Sequence, residues 1–212
     1  MRLIKPYHRI ENITTEPLKL IEQAGRTCYK SEDKITDDSA EKFVKMIIKR
    51  GHETVIEHAY MTVRFICDRG VTHEIVRHRL CAYSQESTRY CNYSGGVTFI
   101  IPPWVNVNTG EYNKYRPLPA LNTPDEVWFA SMMRAEEYYI YLLDYGVWSP
   151  QQARAVLPNS LKTEIVCTAN LREWKHIFKL RCSKAAHPQM QEIMIPLLEE
   201  VKTKIPVIFE DL

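Results

Sequence analysis

From Tyr60 to Cys67 the chain alternates with period two, placing Met61, Val63, Phe65 and Cys67 on one face and Thr62, Arg64 and Ile66 on the other. A β-strand puts successive side chains on opposite faces, so this run predicts a strand with one wholly apolar side that must be covered. Val97–Ile101, closed by Pro102-Pro103, and Lys162–Ala169 have the β-rich composition of two further strands. Helix signals surround them. Thr15 and Pro17 open a helix with Leu18, Ile21 and Ala24 at helical spacing, and Asp38 to Arg50 gives a second that stops at Gly51. Thr123-Pro124-Asp125-Glu126 combines a capping hydroxyl, Pro at the first helical position and Glu at the third, and predicts a helix to about Tyr145. Ser149-Pro150-Gln151-Gln152 repeats that grammar for a short helix ending before Pro158. Asn170 caps another, and His187-Pro188 opens the last, with Met190, Met194, Leu197 and Val201 as its apolar stripe and Pro196 as a bend. Mixed α and β structure follows.

No repeat or linker divides the 212 residues, so a single domain over 1–212 is expected. A hydrophobic share of 45% is enough for a core and places the chain outside the disordered classes. The net charge of +2 gives no extended footprint for nucleic acid, so any anion site must be local. Apolar runs such as Ile100–Pro103 and Ile193–Leu198 fall far short of the ~20 residues that span a bilayer, and the N-terminus lacks a signal-peptide core; a cytoplasmic protein is expected. The six cysteines form no C-x-x-C pair and are expected as buried or half-buried free thiols.

Chemistry concentrates in Arg77–Tyr90, where Arg77, Arg79 and Arg89 stand with His78 and several hydroxyls against one acid, Glu86. Two readings compete: a solvated basic helix end with a polar loop, or a site whose guanidiniums are relieved by a bound phosphate. His73 and His78 are five apart, too divergent on a helix to share a metal ion, and His52 and His58 have no further ligand at suitable spacing; no metal is expected. On the helix after Asn170, Arg172, His176 and Lys179 share a polar face opposite Leu171, Trp174, Ile177 and Phe178. Arg181 falls on the apolar side, where a guanidinium needs either an internal partner or a ligand. Arg154 adds a basic group on the short helix. Glycine-rich phosphate loops and nucleophile elbows do not occur in the sequence, which leaves phosphate binding to arginines and helix N-termini.

Arg77-His78-Arg79, seven residues and then Ser87 resembles the R-H-R-x₇-S signature of the flavin-dependent thymidylate synthases. Three blocks support it in order: Gly51-His52-Glu53-Thr54 with Glu57-His58, then Ala153-Arg154-Ala155-Val156-Leu157-Pro158, then Asn170-Leu171-Arg172 with His176 and Arg181. The resemblance spans about Thr15 to Val201. It implies an α+β fold, with helices packed around a twisted, mainly antiparallel sheet, and a homotetramer with sites at subunit interfaces. FAD would contact Thr54, Arg77, His78, Arg79, Gln85, Asn170, Arg172 and His176. The substrate dUMP would contact Glu74, Arg77, Gln85, Glu86, Ser87, Arg89, Arg154 and Arg181, with Arg181 as the catalytic residue polarising the uracil. NADPH would reduce the flavin and 5,10-methylenetetrahydrofolate would donate the one-carbon unit. Glu74 and Gln85 stand where other members can carry Gln and Glu, His176 where some carry Asn, and Cys182–Ala186 is one or two residues longer than in relatives.

Overall fold

The computed structural model describes residues 1–113 and 119–212. The described residues form seven strands: β1 (Arg2–Ile4), β2 (Tyr7–Ile13), β3 (Tyr60–Asp68), β4 (Ala82–Gln85), β5 (Thr98–Ile100), β6 (Gly110–Glu111) and β7 (Lys162–Asn170). The α-helices are α1 (Pro17–Thr27), α2 (Ser39–Lys49), α3 (Arg69–Ile75), α4 (Pro124–Asp144), α5 (Pro150–Ala153), α6 (Leu171–Arg181), α7 (Pro188–Lys204) and α8 (Pro206–Phe209). The strands form a three-stranded sheet in the order β5-β1-β6 and a four-stranded sheet in the order β2-β3-β7-β4. The class is α+β.

The alternation in β3 is realised: Met61, Val63, Phe65 and Cys67 are fully buried. Three sequence expectations change. The helix entering at Arg69 ends at Ile75, so the R-H-R motif lies in the turn beyond it, not on a basic helix end. The supposed polar loop contains β4, whose four residues have no apolar period of their own and are held by pairing with β7. The helix from Pro188 is followed by α8, so it is not the last.

The chain divides into two compact units. The first comprises Met1–Tyr7, Phe65–Ile75 and Ser84–Ile165. Here β1 pairs in parallel with β5, Leu3 opposite Phe99, and antiparallel with β6. Phe129, Met132, Ala135 and Tyr139 of α4 pack with Leu3, Val97 and Phe99 in one core. The α4 capping box is complete: Glu126 N–H donates to the Thr123 hydroxyl, and the Glu126 carboxylate accepts from the Thr123 N–H. Buried Glu136 is held by the Met1 ammonium at 2.7 Å and the Val97 N–H at 2.8 Å, which offsets the penalty of burying a carboxylate.

The second unit comprises His8–Arg64, Val76–Tyr83 and Val166–Leu212. Its core packs Trp174 against Phe178 and sets Phe178 edge-on to Phe209, and the Trp174 indole N–H donates to the Met61 carbonyl at 2.9 Å. Where α1 packs on α2, a methyl group at Gly25 would stand 2.6 Å from the Phe43 ring, so only glycine fits. Strand β7 runs into α6 with no loop between them. Asn170 ends the strand, and its side chain accepts from the Glu173 N–H at 2.8 Å as the helix cap.

Candidate functional site

In the second unit, the turn carrying Arg77, His78 and Arg79 leaves both arginines exposed and buries the histidine. The Tyr83 hydroxyl donates to the His78 carbonyl at 2.9 Å and helps fix the turn. Arg181, expected on the apolar side of α6, is its half-buried last residue, and its Nε donates to His78 Nε2 at 3.0 Å. One partner of this guanidinium is therefore an imidazole. Burial, and then the charge of Arg181 and the neighbouring His176, pull the His78 pKa down to about 4, so the ring is neutral at physiological pH. His176 stands edge-on to His78 with ring centroids 5.8 Å apart.

The polar face of α6 forms as expected, with Arg172, His176 and Lys179 all exposed. These three, with Asn170 and Leu80, line a cavity of about 450 Å³. Glu53 and Glu57, from the short 3-10 helix Glu53–His58, line it too, while Thr54 on the same helix is exposed. Arg172 pairs with Glu57 and lies 3.9 Å from Glu53. Lys175 is almost fully buried, with Asp211 at 3.2 Å and Glu53 at 3.6 Å.

Two residues here escaped the sequence reading. Lys175 sits only about 40° around the helix from Leu171, so its burial was implicit in the apolar arc. Glu173, also buried, places Oε1 3.5 Å from His78 Nδ1, a contact between residues 95 positions apart that no local pattern announces. His78, Glu173 and His176 offer potential metal-ligand atoms within 4.8 Å of one another, a grouping the His73–His78 spacing could not anticipate. A metal-bound imidazole presents its other nitrogen to an acceptor; His78 instead turns Nε2 toward the Arg181 donor, which favours a hydrogen-bonded network over a metal centre.

In the first unit a different arrangement surrounds the second half of the motif. Glu86, the acid expected to offset the neighbouring arginines, is engaged elsewhere. Oε1 accepts from the Tyr93 hydroxyl at 2.8 Å and Oε2 from Lys162 Nζ at 2.9 Å, while Lys162 also donates to Glu164 Oε1 at 2.7 Å. The two carboxylates raise the Lys162 pKa against the opposing effect of its burial. Gln85 Nε2 donates to Thr72 and Thr163, at 3.0 and 3.3 Å. Ser87 Oγ accepts from the Arg89 N–H at 3.3 Å, and the Arg89 guanidinium lies over the Tyr90 ring. Arg154 donates to the buried Thr88 hydroxyl at 2.9 Å, and Glu74 is half-buried on α3. Of the residues expected to meet nucleotide, Glu74, Gln85, Glu86, Ser87, Arg89 and Arg154 belong to this unit, and Arg77 and Arg181 to the other. The expected flavin residues, apart from Gln85, all belong to the second unit.

A family model described as thymidylate synthase complementing protein matches residues 9–207. The flavin-dependent thymidylate synthase of Geobacter sulfurreducens is 32% identical over 206 residues, covering 93% of this chain and 83% of that protein. That of Pyrococcus furiosus is 32% identical over 200 residues, covering 90% and 76%. Among solved structures, thymidylate synthase X from Helicobacter pylori with FAD and dUMP aligns with a TM-score of 0.76 at 24% identity, over 97% of this chain and 98% of that one, and shows the same fold. A match over nearly the whole chain, together with an intact R-H-R-x₇-S motif, establishes that this protein belongs to the thymidylate synthase complementing protein family, the flavin-dependent thymidylate synthases.

Proposed function

We propose that the chain converts dUMP to dTMP by reductive methylation, with 5,10-methylenetetrahydrofolate as one-carbon donor and FAD, reduced by NADPH, as hydride source. Residues 1–212 act in this reading as one functional domain of a cytoplasmic homotetramer with sites at subunit interfaces.

The residues suit a flavin dinucleotide. Arg172, His176 and Lys179 set donors and positive charge along one cavity beside the N-terminus of α6, a combination that binds phosphate. Thr54, Arg77, His78, Arg79, Gln85 and Asn170 complete the proposed flavin contacts. Bound FAD supplies the hydride that turns a transferred methylene into a methyl group. Arg77, Arg89 and Arg154 bind the phosphate of dUMP, while Glu74, Gln85, Glu86 and Ser87 orient the nucleotide. Ser87 has a backbone N–H as its neighbour rather than a base, in keeping with binding and not with nucleophilic attack.

The observation that carries the mechanism is the contact from Arg181 to the neutral His78. Imidazole accepts a hydrogen bond without cancelling the guanidinium charge. Arg181 can then stabilise the uracil as its N3 proton leaves, which pushes electron density to C5. Electron density at C5 would favour its bonding to the one-carbon unit of the folate as the C5 proton leaves, and bound FAD would supply the hydride that completes the methyl group as tetrahydrofolate is released and N3 regains its proton. A charge-assisted hydrogen bond felt mainly in the ionised state contributes roughly 1.5–3 kcal/mol, or about one to two powers of ten in rate.

The test is dTMP formation by the purified, flavin-bound protein with NADPH and the folate. Arg181→Ala should abolish turnover while leaving bound flavin in place. Full activity in that variant overturns the assigned role, and a protein that never takes up FAD overturns the function.

A further inference from the structure

Glu173 lies outside the residues assigned to flavin and to nucleotide, yet it is buried beside the contact on which the proposed mechanism rests. A guanidinium can only donate hydrogen bonds, so the approach of Arg181 Nε to His78 Nε2 requires a lone pair on Nε2. In a neutral ring the single proton must then sit on Nδ1. That nitrogen faces Glu173 Oε1 at 3.5 Å. Glu173 is itself anchored in the first turn of α6, where its N–H donates to the Asn170 side chain. Arg181 closes the same helix eight residues later, so the two ends of one helix stand at opposite nitrogens of a ring supplied by the R-H-R turn.

We infer that Glu173 is a positioning residue: by accepting from Nδ1 it holds His78 in the tautomer whose Nε2 orients the guanidinium of Arg181. The inference rests on the catalytic reading of Arg181. Without the carboxylate, the proton is free to move to Nε2, where it would confront the Arg181 N–H donor to donor and turn the guanidinium away. His176 is the other titratable ring against His78. It stands edge-on rather than in line with Nδ1, and does not replace an acceptor there.

The test uses the protein as purified, labelled with ¹⁵N-histidine, and reads the His78 tautomer by NMR beside steady-state dTMP formation. Wild type should show the Nδ1–H form alone. In Glu173→Leu both tautomers should appear and kcat should fall about tenfold, the scale seen when a group orienting a functional imidazole is lost, with KM for dUMP and flavin content little changed. Glu173→Gln, whose amide oxygen still accepts, should restore the single tautomer and most of kcat. Retention of pure Nδ1–H in the Leu variant overturns the inference, as does a Gln variant that behaves like Leu. If the tautomer responses occur but wild type forms no dTMP, the proposed reaction fails while the link between Glu173 and His78 stands.

Discussion

The clusters around Lys162 and around His78 handle buried charge in opposite ways. Lys162 meets two carboxylates, with Glu86 further held by Tyr93, so charge is cancelled where it lies. Arg181 Nε donates to a ring that burial keeps neutral, so this contact fixes direction without itself cancelling charge. A contact with a carboxylate commits charge to the fold; a contact with a neutral acceptor orients a cation without doing so. In the first cluster a lost partner should appear as lost stability, and in the second as lost function and a response to pH.

The largest expected effect is on the Lys162 side. Lys162→Met leaves Glu86 and Glu164 without their shared cation and should cost about 2 kcal/mol, between an exposed ion pair and a fully buried one. Urea unfolding measures it, and adding Glu86→Gln should recover a good part of the loss. A change below about 1 kcal/mol would erase the contrast, since it would make this cluster no more structural than an exposed ion pair.

The pH response sharpens the other side. Because the folded protein holds His78 at about 4 against an ordinary 6.5, the unfolded chain binds more protons between those values. Stability from this group is therefore complete above about pH 6.5 and lost progressively as pH falls toward 4. Burial raises the Glu173 carboxyl, which contributes with the opposite slope just above its ordinary range. The difference between wild type and His78→Asn isolates the histidine. Urea midpoints measured across this window should fall more steeply on acidification in wild type, and parallel curves would show that the ring is not held neutral. The smallest effect is a baseline remote from both clusters: Thr123→Ala removes the α4 cap, should cost about 1 kcal/mol, and should leave dTMP formation unchanged.

What was legible in the sequence follows the range of the forces involved. The α4 capping box, the Asn170 cap and the alternation of β3 are set by residues within a few positions of one another, and all three formed as expected. Strand β4 was hidden because Ala82-Tyr83-Ser84-Gln85 becomes a strand only beside β7. The same applies to the site. The motif announced His78 and Arg181 separately, but the contact of Arg181 with the imidazole and the approach of Glu173 arise from folding together segments about a hundred residues apart. Glu86 shows the converse: along the chain it is the one acid among the arginines, whereas in space it accepts from Lys162 and Tyr93.

The junction at Asn170, last residue of a strand and cap of the next helix, has a consequence for how this region can vary. With no slack between β7 and α6, the angular setting of the helix is dictated by where the strand stops. One residue inserted or deleted there would turn α6 by about 100° and swing Arg172, His176 and Lys179 off the cavity together. A substitution on this helix alters one contact at a time, whereas a change in the length of the corner alters them all.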